Sequence, residues 1–225
     1  MAETPVPGIE LLPESVKPRQ LFILLHGFGT NAADMLPVAE RFRKDYPDAA
    51  FLIPEGIYAL GVSGLRRQWF DIDGISEETR PQRVALAMPA LIALVRQAQD
   101  RLKILSSDTA LVGFSQGGIM ALELSARHDG IAGRILVFSG RYAELPEVAP
   151  ELTTVHLFHG ERDSVIPVEH AYAAYSALTD LEGDVTLDLA PDCGHEITGA
   201  LIDKAVYRLQ TCVPLRSWKR AMDSA

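Results

Sequence analysis

Cysteine is scarce in this chain: there are two in 225 residues, Cys193 and Cys212, without the paired spacing of a zinc or redox motif. That scarcity argues against a disulfide-built scaffold and for a reducing, cytoplasmic setting. Positive charge is also short. Lys and Arg number 21 against 30 Asp and Glu, a formal net charge of −9, which disfavours nucleic acid or an anionic membrane as a main partner. Arg66-Arg67 and the tail from Arg216 to Arg220 are too short to offset this and are expected on the solvated surface. Long apolar runs are missing as well. No stretch approaches the ~20 residues of a membrane span, and Met1 to Glu10 lacks the apolar core of a secretory leader.

What remains fits one domain over residues 1–225, with 48% hydrophobic and 23% charged residues supplying a sizeable core and an ordinary surface. Short apolar runs alternate with helical patterns, the sign of an α/β fold whose mostly parallel sheet is covered on both faces. Strands are expected at Gln20 to Leu25, Ala50 to Ile53, Thr109 to Phe114, Arg134 to Phe138 and Thr154 to Phe158. A last one, Val185 to Leu189, alternates apolar and polar residues and belongs near an edge. Helices are expected at Asn31 to Tyr46, Val84 to Leu102, Val168 to Leu181 and Ile197 to Leu209. Pro89 falls inside the second of these and predicts a kink or a fresh helical start, because an interior proline costs ~3 kcal/mol.

Gly113-Phe114-Ser115-Gln116-Gly117-Gly118 joins the third strand to an apolar helical segment. Strand, sharp turn and helix around Gly-x-Ser-x-Gly form a nucleophile elbow, which lifts a serine hydroxyl clear of the sheet. A hydroxyl needs a base, and the base needs a group that fixes its tautomer. In this fold class they follow in the order Ser, acid, His. His195, in the turn-rich loop Pro191 to Glu196 after the last strand, is the candidate base, with His26 a distant second. Asp163, on the short loop after Thr154 to Phe158, is the candidate acid, and Glu161 on the same loop is its rival; Asp192 reads as a turn residue. His195-Glu196 does not open a zinc motif, because Gly199 stands where the second histidine would be. Oxyanion donors are expected from the Gln116 N–H and from the loop His26 to Thr30, at Phe28 or alternatively Gly29.

Leu25-His26-Gly27-Phe28-Gly29, Trp69-Phe70-Asp71, the elbow, Ser139-Gly140, His159-Gly160 with Asp163, Val165 and Pro167, and Gly194-His195-Glu196-Ile197 run in order along most of the chain. Together they resemble the phospholipase/carboxylesterase group of α/β-hydrolases, which includes the acyl-protein thioesterases. The resemblance implies an α/β-hydrolase fold, a triad of Ser115, Asp163 and His195, and oxyanion donors at Phe28 and Gln116. It also allows a homodimer as well as a monomer. Two loops depart from the group's pattern: Phe28-Gly29-Thr30-Asn31 replaces Leu-Gly-Asp, and the charged Arg141 follows Ser139-Gly140.

The span from Phe138 to Thr154 is too short for a helical cap, so an open site is expected, covered only by Ile57 to Gly74. Trp69 and Phe70 in that segment are candidate acyl contacts, with packing under the loop as the alternative for Trp69. Arg141, and more weakly Arg66 or Arg67, is a candidate contact for an acidic group, with surface ion pairing as the alternative. The expected activity is hydrolysis of small to medium, lipid-like or other carboxylic esters, thioesters included. Such chemistry needs no metal or organic cofactor. An amidase or peptidase on the same fold and a non-catalytic binding module are the rival readings.

Overall fold

A computed structural model describes residues 8–14, 16–217 and 222. Met1 to Pro7 of the expected leader-free N-terminus, and Lys219 and Arg220 of the basic tail, lie outside the described residues. In chain order the elements are β1 (Ile9–Leu11), β2 (Gln20–Leu25), α1 (Ala32–Asp45), β3 (Ala49–Ile53), β4 (Tyr58–Leu60), β5 (Arg66–Gln68) and α2 (Arg80–Leu102). They continue with β6 (Thr109–Phe114), α3 (Gln116–Arg127), β7 (Arg134–Phe138), β8 (Thr154–Gly160), α4 (Glu169–Asp180), β9 (Val185–Ala190) and α5 (Gly199–Thr211).

The main sheet has the order β1-β3-β2-β6-β7-β8-β9 and is parallel except for β1. From β2 the chain steps outward to β3, then crosses back to β6 and on to β9. The order therefore reverses between β2 and β6, the switch point beyond whose strand carboxyl ends open α/β sheets place their ligand sites. The connections after β2, β3, β6, β7, β8 and β9, which carry the expected site residues, leave the sheet along this edge. β9 is an edge strand and half-buried along its length, as its alternating pattern predicts.

Successive strand residues feed two separate cores. Leu21, Ile23, Leu25, Leu111, Ile135 and Val137 meet α2, α3 and α4. Phe22, Leu24, Val112, Leu136, Phe138 and Phe158 meet α1 and α5. α1 starts at Asn31, whose side chain accepts from the Ala33 N–H at 2.9 Å while Asp34 accepts from the Asn31 N–H at 2.9 Å. That closes two of the orphan donors of a helix start.

Pro89 neither ends nor splits its helix: α2 runs through it for 23 residues. Val84, Met88, Leu91 and Val95 are all buried on one face, and each contributes about 1.5–3 kcal/mol. Their sum exceeds the ~3 kcal/mol cost of the proline. No helix of the described residues is long and apolar enough to cross a membrane.

His156, in β8, is fully buried, with Nδ1 at 2.8 Å from Thr186 Oγ1. Burial, with Arg134 and Arg208 nearby, pushes its pKa down to about 3. The unfolded chain, at the ordinary ~6.5, binds that proton more readily between the two values, so stability falls as pH falls through this window. Burial lowers His26 and His159 as well, with the same sign. Denaturant unfolding at pH 7 and pH 5 is expected to show a loss to which His156 contributes about 1–2 kcal/mol. His156→Gln should flatten the pH dependence by that amount. An unchanged dependence in the variant would show that the site does not titrate this way.

Candidate active site

Ser115 follows β6 directly, with φ 53° and ψ −115°. Its N–H donates to the Phe138 carbonyl at 3.0 Å, tying the turn to β7. The flanking glycines are there for lack of space. A Cβ on Gly117 would stand 2.2 Å from the Leu25 carbonyl oxygen, and one on Gly113 would stand 2.5 Å from that of Gly117. Strand, turn and helix can close this tightly only without side chains at both positions.

Asp163 and His195 come from loops that are joined to each other. The Glu161 N–H donates to Ala190 O and the Arg162 N–H to Cys193 O, both at 3.0 Å. Asp163 Oδ1 accepts from the N–H groups of Val165 and Ile166 at 2.9 Å each. Its Oδ2 stands 2.8 Å from His195 Nδ1 and 3.4 Å from His159 Nε2. Burial pushes the Asp163 carboxyl up, but the His195 hydrogen bond and the two amides outweigh it and hold the group below its usual value. The ionised carboxylate makes His195 Nδ1 the donor. Nε2 is then the acceptor for the Ser115 hydroxyl, 2.9 Å away. The ring is braced by Phe114, whose centroid is 5.0 Å from it. A serine poised on an imidazole, itself oriented by a buried carboxylate, is arranged to attack a carbonyl.

The rivals lie elsewhere. Glu161 is exposed, and Asp192 pairs with Arg162 at 2.6 Å. His26 is sealed in the interior: Nδ1 donates to Gly27 O at 2.7 Å and Nε2 accepts from the Gly56 N–H at 2.8 Å. Gly29 spends its N–H on Arg67 O at 2.9 Å, whereas the Phe28 N–H has no acceptor among the described residues. Gln116 is the first residue of α3, where a helix leaves its N–H groups unsatisfied. Of the two sequence alternatives, Phe28 is therefore the one free to pair with Gln116 as an oxyanion donor.

The family model described as phospholipase/carboxylesterase matches residues 8–213. The chain belongs to this family. Among its relatives, Esterase YpfH of Escherichia coli (strain K12) is 41% identical over 204 residues, 91% of this chain and 88% of that one. Acyl-protein thioesterase 1 of Gibberella zeae is 25% identical over 85% of this chain and 90% of its own length. Among solved structures, esterase PE8 superposes with a TM-score of 0.81 and 29% identity, over 92% of this chain and 99% of that one.

In this phospholipase/carboxylesterase-family chain the elements around the elbow correct several expectations. Trp69 and Phe70 are each 1% exposed and offer no surface to an acyl chain. Trp69 Nε1 donates to His26 O at 2.9 Å, so its packing alternative is the one realised. Gln116 explains why: its Oε1 accepts from the Trp69 N–H at 2.8 Å and its Nε2 donates to Phe70 O at 2.7 Å. Arg66 and Arg67 are not surface ion pairs among the described residues. Arg66 Nε donates to Gly29 O at 3.0 Å, and Arg67 donates through Nε to Gly56 O at 2.9 Å and through its backbone N–H to Thr30 O at 2.9 Å. Both hold the Phe28 loop against the hairpin β4–β5. That hairpin was missed in the sequence; Gly61 and Gly64, both at positive φ, bracket its turn and are the signal that could have found it. Arg141 is ion-paired with Glu77. Cys193 is a buried thiol, raised by burial and directed at Gly194 O and Glu196 O.

Proposed function

We propose that this chain is a serine hydrolase of carboxylic esters, and of thioesters by the same chemistry, acting on small to medium acyl substrates. The observation that carries the proposal is the unbroken hydrogen-bonded line from Ser115 Oγ through His195 to Asp163, at 2.9 and 2.8 Å. Ser115 attacks the carbonyl while His195 Nε2 takes its proton, and the N–H groups of Phe28 and Gln116 receive the oxyanion. His195 then returns the proton to the leaving alcohol or thiol. Water attacks the acyl-enzyme by the same route, and Asp163 stays ionised throughout. No step calls for a metal or organic cofactor.

Related proteins that carry the names esterase and acyl-protein thioesterase support the bond type. The absence of a helix between β7 and β8 supports an open site. Two free thiols suit a reducing cytoplasm. One domain over residues 1–225, working as a monomer or homodimer, completes the proposal.

A fluorophosphonate probe tests it. One equivalent should attach to Ser115, seen by intact and peptide mass, with loss of fluoride. Folded protein that refuses the label would revive the non-catalytic module. Matched ester and anilide substrates then separate esterase from amidase.

A further inference from the structure

The segment between β5 and α2 carries Glu77, and its carboxylate is held by two arginines. Oε1 lies 3.0 Å from Arg80 Nη2 and 3.1 Å from Arg141 Nη1, and Oε2 bonds Arg141 Nη2. The partners differ in burial: the arginine side chains are 16% and 15% exposed, that of Glu77 60%. Arg141 Nη1 also meets His170 Nε2 at 3.1 Å, and its Nε donates to Tyr142 O. Arg80 Nε is buried with no acceptor among the described residues. Two guanidinium charges thus share a single, solvent-facing carboxylate, in a protein of net charge −9.

Both ends of this bridge are fastened to the elbow. Arg141 follows Gly140, where a Cβ would stand 3.2 Å from the Gly118 backbone in the first turn of α3. On the other side Gln116 grips Trp69 and Phe70, which lead into the Glu77 segment. His170 and Arg141 lie beside the loop that carries Asp163, through His159. Arg141 thus lies on the loop that follows β7, the strand beside β6 and its elbow, and it holds Arg80 to that loop through Glu77.

Resting on the ester-hydrolase reading, we propose that Arg80 and Arg141 form the recognition site for a carboxylate on the substrate, a half-ester of a dicarboxylic acid. Glu77 is the resident ligand that the substrate displaces. A planar carboxylate is the group that a guanidinium fork holds by both oxygens, and Glu77 already shows that geometry. As the exposed member of the cluster, Glu77 can turn to water, leaving both arginines to the incoming group.

The test compares mono-p-nitrophenyl adipate with p-nitrophenyl hexanoate, esters of equal acyl length that differ in the terminal carboxylate. The readout is the ratio of their kcat/KM values. Glu77→Gln should raise the adipate-to-hexanoate ratio severalfold, and Arg141→Gln should lower it by about tenfold, the scale of one charge-assisted pair. In the wild type, added salt should lower the ratio through screening, a measurement that needs no variant to fold. A ratio that stays within about twofold in both variants and in salt would overturn the proposal and leave the cluster as a clamp. Both esters changing by one common factor would do the same. Hexanoate hydrolysis that survives loss of the Ser115 hydroxyl would instead sink the underlying reading, so the two failures are distinct.

Discussion

Replacing Ser115 with alanine is expected to lower kcat on a p-nitrophenyl ester by about 10⁶-fold, the scale seen when the nucleophile of another serine triad is removed. The loss should be chemical, with the fold intact. Alanine keeps the Cβ that already fits the turn, and the anchors of that turn are backbone groups: the Ser115 N–H to Phe138 O and the Ile119 N–H to Ser115 O, each at 3.0 Å. What disappears is the one oxygen within reach of His195 Nε2. Substrate should still bind, and the Phe28 and Gln116 amides should leave a residual rate above that of water. A variant that folds normally and retains a tenth of wild-type kcat would remove Ser115 from the mechanism.

Asp163→Asn is expected to cost about 10⁴-fold in kcat with little loss of stability. Asparagine can still present Oδ1 to the N–H groups of Val165 and Ile166, so the loop keeps its shape. At the Oδ2 position it presents an NH₂ where His195 Nδ1 now donates. Two donors cannot share a hydrogen bond, so the imidazole is driven to the other tautomer and offers N–H, not a lone pair, to Ser115. Steady-state kinetics paired with thermal melting separates this from unfolding. Glu161→Gln is the control: the side chain is exposed and should be replaceable within about twofold. If Glu161→Gln proved crippling and Asp163→Asn harmless, the acid would have been misassigned.

The line from Ser115 to Asp163 could be read in the sequence because the fold class fixes where its members come. Ser115 and Asp163 stand just past strong apolar strands and His195 just past the alternating last one, and the strands of a parallel sheet all end on one side. The start of α1 also followed from local chemistry, at Asn31 and Asp34, whereas α2 begins at Arg80, ahead of the expected Val84. β1 escaped notice because three residues, Ile9 to Leu11, show no period, and only pairing with β3 makes them a strand. Arg67 was misread for a related reason. An arginine in a polar stretch looks solvated until its target is known, and its targets, the carbonyls of Gly56 and Thr30, are defined only once the hairpin folds over the Phe28 loop. Trp69 was ambiguous because aromatic character alone does not separate burial from binding. The Gln116 side chain that settles it sits 47 residues away.

The backbone at Ser115 has a consequence for durability. With φ at 53° it occupies a region in which a side chain costs about 1–3 kcal/mol, and Ser139, at the end of the neighbouring strand, sits at φ 49°. Glycine would relax either position, and at 115 it would also silence the chemistry. Hardiness and activity therefore pull in opposite directions at that residue. A longer-lived form of this protein has to be sought away from that turn, at Ser139 or in the helices and edges that leave the turn as it is.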